Sequence, residues 1–258
     1  MEVLDISKAQ GHWVLAKMGK KVLRPGGKEL THKLIKALAI TPEDDVVELA
    51  PGLGYTASLA LQHKPKTYTG IDANPDAIKQ LRKTINGNNQ RIIEGNAAQT
   101  ALKEESVTKV YGEAMLTMHA DHRKTEIIQE AHRILKKGGL YAIHELGLTP
   151  DSIDKNLKDQ IQKDLSLSIK VNARPLTQNE WSQLLEREGF KIKFIATNPM
   201  YLLETSRIIA DEGFFRALKI GFNILANKPA RKRVLEMHHV FKTHAKHMNA
   251  IVIVAEKQ

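Results

Sequence analysis

An α/β fold, with a mostly parallel sheet wound by helices on both faces, is the architecture this sequence predicts. Three observations point there. From residue 44 onward, short β-branched runs alternate with amphipathic helical patterns, the mark of strand–helix–strand crossovers. The first run leads straight into a glycine turn, Val46-Val47-Glu48-Leu49-Ala50-Pro51-Gly52-Leu53-Gly54, and a helix pattern follows it. Seven strand-like runs occur in a chain of 258 residues, enough for one large sheet.

The elements follow in order. Asp45–Ala50 reads as the first strand and Tyr55–Gln62 as the helix after the turn. Thr67–Asp72 is the second strand. Asn74 then caps a helix with Pro75 at its first position, and Asn86-Gly87 closes it. Arg91–Glu94 and Val110–Glu113 are strands three and four. Residues 122–137 form an amphipathic helix stopped by Lys136-Lys137-Gly138-Gly139, and Leu140–Glu145 is strand five. Thr177-Gln178-Asn179-Glu180 is a capping box opening a helix that ends at Gly189, and Phe190–Thr197 and Asn249–Ala255 are the last two strands. The chain is expected to be one domain, 1–258, with its core at 44–145. The segments 1–40, 150–175 and 204–247 interrupt the alternation and read as helical. They are expected to form a cap, with Phe215, Leu218, Phe222 and Leu225 at core-facing spacing on one helix.

Composition narrows the classes. Apolar content of 42% and charged content of 26% are ordinary for a globular protein. No apolar run approaches the roughly 18 residues that a membrane span needs. The start of the chain, MEVLDISKAQGHW, lacks the pattern of a secretory leader. The absence of cysteine removes disulfides, thiolate metal sites and cysteine nucleophiles, and fits a cytoplasmic location. The His238-His239, His244 and His247 group reads as a solvated basic face, so no metal site is expected.

Gly52-x-Gly54-x-x-Ala57, with Asp72 downstream, fits the relaxed dinucleotide fingerprint, a weak signal by itself. Glu48 discriminates. A dinucleotide sets its diphosphate against such a turn, where a carboxylate repels it. S-adenosylmethionine brings an ammonium and a sulfonium instead, which a carboxylate attracts.

Four stretches carry a family resemblance: E-L-A-P-G-L-G at 48–54, G-I-D-A-N at 70–74, E-G-N-A-A at 94–98 and I-L-K-K-G-G-L-Y at 134–141. In that order and spacing they resemble the motifs of class I SAM-dependent methyltransferases, with the Rossmann-like fold. The nearest flavour is the small-molecule branch that includes ubiquinone and menaquinone methyltransferases. The likeness covers 44–145 in detail, and 176–200 and 248–256 in architecture. It implies S-adenosyl-L-methionine as cofactor and S-adenosyl-L-homocysteine as product. By the same resemblance the backbone at Ala50, Gly52 and Gly54, with Thr56 beside it, passes the methionine part. Glu48 sits near its amino group, Asp72 and Ala73 hold the ribose, Asn96, Ala97 and Ala98 edge the adenine, and Glu113 touches the cofactor or orders its loop. Asn96 departs from the frequent aspartate, and Ala50 and Pro51 from the usual turn.

Methyl transfer from a sulfonium needs the acceptor atom held in line, about 3–3.5 Å from the methyl carbon. A base is needed only when the acceptor must lose a proton. Beyond strands four and five the catalytic candidates are His119, His144 and Glu145, with a helix-start or surface role as the alternative for His119.

Two segments concentrate the charge. Residues 8–36 and 216–246 each hold eight Lys or Arg against one acid, so each is +7 while the whole chain is +10 and the remainder is net acidic. Such a mouth suits a small anionic or amphipathic acceptor, nucleic acid bound through phosphates, or peripheral contact with a lipid surface. The small molecule is the reading preferred. RNA methylation and silent SAM binding are the alternatives, and the oligomeric state does not follow from the sequence.

Overall fold

The computed structural model describes residues 5–258; residues 1–4 of the expected N-terminal segment lie outside the described residues. Short helices α1 (Gly11–Lys17) and α2 (Gly27–Leu38) precede the sheet. There follow β1 (Asp45–Leu49), α3 (Tyr55–Gln62), β2 (Thr67–Asp72), α4 (Pro75–Thr84), β3 (Gln90–Glu94) and β4 (Val107–Glu113). A 3₁₀ turn at Leu116–Met118 leads to α5 (Asp121–Ile134) and β5 (Leu135–Leu148). Then come α6 (Lys155–Ile169), β6 (Leu176–Thr177), α7 (Gln178–Arg187) and β7 (Phe190–Pro199). Helices α8 (Thr205–Glu212), α9 (Phe214–Ala226) and α10 (Lys228–Thr243) precede the final strand β8 (Met248–Lys257).

The strands order as β3-β2-β1-β4-β5-β8-β7. Strands β1 to β5 are parallel, and β8 runs antiparallel between β5 and β7. The order reverses between β1 and β4, which opens a crevice at their carboxyl ends. Alternation along β1 explains the double winding. Val46 joins Leu30, Leu34, Ala57 and Leu81 under α2, α3 and α4, whereas Val47 and Leu49 pack with Ile127, Ile128 and Trp181 under α5 and α7. Asn74 Oδ1 accepts from Asp76 N and Ala77 N, and Thr177 with Glu180 forms the reciprocal capping box.

Three differences from the sequence reading have physical causes. The helix before β5 stops at Ile134, because Leu135 already pairs with Val107 of β4. Strand β5 runs on to Leu148, held by β8 through Gly147–Asn249 and Leu148–Met248, and its end recruits β6 as an eighth, two-residue strand. The third concerns α9. Its spacing is helical as expected, but Phe215, Leu218, Phe222 and Leu225 are exposed and the smaller Ala217, Ile220 and Ile224 face inward. A third apolar cluster, above the sheet's carboxyl end, joins Leu15 of α1, Ile161 and Leu165 of α6, and Met237 and Phe241 of α10 to Leu146 and Leu148. Among the described residues no helix is long and apolar enough to cross a membrane.

Candidate active site

The crevice at the strand reversal is a cavity of about 870 Å³. Its floor is the turn after β1, where Ala50, Gly52 and Gly54 take positive φ angles of 55°, 57° and 78°. A side chain on Gly52 meets no atom nearer than the Ala50 carbonyl oxygen, at 3.9 Å, so the missing Cβ leaves cavity space open. Asp72 closes the turn: Gly52 N donates to its Oδ2 at 2.9 Å and Asn74 N to its Oδ1 at 2.9 Å. Each oxygen keeps a further acceptor site. Ala50, Ala73, Asn96, Ala97, Glu113 and His119 also line the cavity. Asn96 Oδ1 accepts from Ala98 N at 2.9 Å and from Arg123 at 2.5 Å.

A buried polar cluster stands at the end of β4. Glu113 Oε1 accepts from Thr31 Oγ1 at 2.8 Å and contacts His144 Nδ1 at 2.6 Å. Its Oε2 pairs with Arg24 Nε at 2.5 Å and accepts from Thr56 Oγ1. Burial works to raise this carboxyl, but Arg24 and His144 with their hydrogen bonds hold it down to about 2. His144 Nε2 faces the Pro25 carbonyl oxygen at 2.7 Å. The loop bearing Lys21, Arg24 and Pro25 is thereby fastened over the crevice.

Other expected site residues are absent from the cavity wall. Glu48 shares a parity with Val46 and turns under α2 and α3, where Tyr68 donates to it at 2.5 Å and Tyr111 at 2.8 Å. Gly54 is demanded by packing, since a Cβ there comes within 2.8 Å of Leu81 Cδ2. Thr56 is fully buried against Glu113, and Ala98 packs on the α5-side core. His144 is fully buried with both ring nitrogens engaged. Glu145 is likewise buried and accepts the amides of Met115, Leu116 and Thr117, capping the 3₁₀ turn. Burial, against those bonds, raises its carboxyl. Among the described residues no His/Asp/Glu group is arranged to hold a metal.

The sequence reading missed His12. It lines both the cavity and a second, smaller chamber of about 70 Å³, walled by Leu15, Met118, Leu146, Met200, Met237 and Phe241 among others. His12 packs on Trp13 with ring centroids 5.0 Å apart. Burial drives it down to about 4 against the pull of Asp72, so the ring is neutral at pH 7. A single histidine on a seven-residue helix leaves no sequence signal.

Burial pushes Glu48 up to about 7, opposed by its two tyrosine hydrogen bonds. The sign follows from linkage. Below about 4.5 the carboxyl is protonated in both folded and unfolded chains. Between about 4.5 and 7 only the folded protein keeps the proton, so stability falls as pH rises. Wild type is expected to lose on the order of 3 kcal/mol across that window that Glu48→Gln does not lose. Denaturant midpoints of both proteins at pH 5 and pH 8 check this, and the difference between proteins cancels the opposite slope from His12. Equal slopes contradict it.

Comparison with known proteins agrees with this geometry. A family described as a methyltransferase domain matches residues 46–139. An uncharacterized protein of Haemophilus influenzae is 30% identical over 251 residues, which is 96% of this chain and 98% of its own. Phosphoethanolamine N-methyltransferase of Plasmodium falciparum is 23% identical over 222 residues, 78% of this chain and 82% of that one. In solved structures, Haemonchus contortus phosphoethanolamine N-methyltransferase 2, with phosphomonomethylethanolamine and S-adenosylhomocysteine, superposes with a TM-score of 0.70 at 15% identity. The match spans 96% of this chain and 57% of that one. The chain carries a methyltransferase domain on the fold of the class I SAM-dependent methyltransferases and is an enzyme whose methyl donor is S-adenosyl-L-methionine.

Proposed function

We propose that this enzyme, acting in the cytoplasm, methylates a small molecule whose reacting end is apolar. The carrying observation is the small apolar chamber of methionine, leucine and phenylalanine side chains that meets the donor crevice at His12 and Met118. A cavity of about 870 Å³ falls within the roughly 300–1,000 Å³ of small-molecule sites. The donor set suits S-adenosylmethionine. Gly52 leaves room for the methionine backbone, Asp72 accepts from ribose hydroxyls, and Asn96, its oxygen already occupied, offers its Nδ2 hydrogens to an adenine ring nitrogen. Ala50, Ala73 and Ala97 supply apolar wall. Glu113, and not Glu48, is the carboxylate beside the first turn of α3, and it is paired there with Arg24.

Bound in the crevice, the sulfonium supplies an activated methyl group. The chain holds the acceptor against it, and α1, α6 and α10 exclude water. Neutral His12, where the chamber meets the crevice, orients the acceptor atom through its ring nitrogens. His144 acts through Glu113 as a positioning residue, and Glu145 through the 3₁₀ turn. His119 lines the outer crevice, held below its ordinary value by burial and by Arg123 and Lys124. The chamber wall carries no Lys or Arg, which separates this acceptor from a phosphate-bearing one. Its narrowness argues against an RNA base.

The test is transfer of labelled methyl from S-adenosylmethionine into a cell extract. Label is expected in solvent-extractable small molecules and to survive nuclease. Label confined to nuclease-sensitive material overturns the reading.

A further inference from the structure

We propose that α9 and the first turn of α10 form a docking face for an anionic lipid surface. Phe214, Phe215, Leu218, Phe222 and Leu225 are all more than half exposed, Phe215 at 85% and Phe222 at 71%. At about 100° per residue they occupy one arc of roughly 100°, wide enough for an interfacial helix. Globular surfaces scatter exposed apolar residues singly, so a contiguous stripe of five marks a contact surface.

Charge decides what meets it. From Phe214 to Leu235 the chain carries Arg216, Lys219, Lys228, Arg231 and Lys232 toward the surface and no acid, while Arg233 is buried and donates to Ala9 O. The side chains of Asp211 and Glu212, just before α9, are turned inward: Glu212 accepts the amides of Lys21 and Val22, and Asp211 that of Lys28. Two copies meeting through this face bring like charges together, whereas an anionic bilayer pairs with them while the phenylalanines enter its apolar margin. The helix is set rigidly for this. Ile220 is buried beneath it, and Asn223 Nδ2 donates to Met18 O at 3.0 Å. Helix α10 also walls the chamber with Met237 and Phe241, so the lipid-facing element and the acceptor chamber share a helix. The docking itself is independent of the methyl-transfer reading, because it is measured without donor or acceptor.

The experiment is vesicle flotation of the full-length protein, with vesicles of equal phosphatidylglycerol and phosphatidylcholine or of phosphatidylcholine alone. Wild type is expected to float with the anionic vesicles, about tenfold more tightly than with neutral ones, and to detach in high salt. Phe215→Ser/Phe222→Ser is expected to lose about tenfold or more in partitioning. Lys219→Glu/Lys232→Glu is expected to lose the preference for anionic vesicles. All four positions are exposed, so thermal unfolding stays unchanged. The proposal is overturned if wild type ignores both vesicles, or if Phe215→Ser/Phe222→Ser floats like wild type. It is equally overturned if light scattering finds a wild-type dimer that this variant converts to monomer.

Discussion

Gly52→Val is expected to abolish S-adenosylmethionine binding while the protein still folds. Gly52 has φ of 57°, and a Cβ placed there enters open cavity. The γ methyls of valine then occupy the floor that the methionine backbone needs. A β-branched residue at that φ also costs stability, about 1–3 kcal/mol, which denaturation measures separately. Alanine is borne at positive φ elsewhere in this chain, at Ala50 and Ala114. Gly52→Ala is therefore the milder comparator, folding normally and binding weakly. Calorimetry on the valine protein should give no saturation up to about a thousandfold above the wild-type dissociation constant, a loss of about 4 kcal/mol. Asp72→Ala removes less. A charge-assisted bond is worth about 1.5–3 kcal/mol, so affinity falls about ten- to a hundredfold. A valine protein with normal affinity removes the close approach at the loop, and an unchanged Asp72→Ala removes the ribose contact.

How much of this was legible depends on the range of the interactions involved. The glycine turn, Asn74 cap and Thr177 box were readable because each joins residues a few positions apart. The choice between Glu48 and Glu113 was not. Strand β1 is buried on both faces, so Val46 and Val47 are both apolar, and period two gives no parity to assign Glu48 to the crevice side. The partner that fixes Glu113, Arg24, lies on a loop 89 residues earlier. That loop, residues 20–27, is basic and carries a Pro-Gly turn, a composition that suits solvent. Its burial at 9% exposure for Arg24 needed the tertiary fold. On α9 the period was right and the direction wrong. The helix has two apolar arcs, and packing buried Ala217, Ile220 and Ile224 while leaving the bulkier arc outside. Sequence periodicity measures that a face is apolar, not what covers it.

Glu113→Ala is the second large effect, and it falls on stability. The substitution leaves Arg24, Thr31, Thr56 and His144 facing a void at the end of β4. Removing one partner of a buried ion pair costs about 3–5 kcal/mol, because the remaining charge stays desolvated without compensation. The cost here includes loosening of the Arg24–Pro25 loop, whose ties to the sheet include this pair and the His144–Pro25 bond. Urea denaturation at pH 7 measures it, and Glu113→Gln, which keeps an acceptor oxygen without the charge, should lose less. The pH dependence supplies an internal control. With its folded value near 2 and its ordinary value near 4.5, the ionised Glu113 contributes fully above about 4.5. That contribution is lost as pH falls from there through about 2. The gap between wild type and Glu113→Gln should therefore narrow from pH 7 to pH 3. A gap that stays constant across that range means the carboxylate acts through its shape alone and not through its charge.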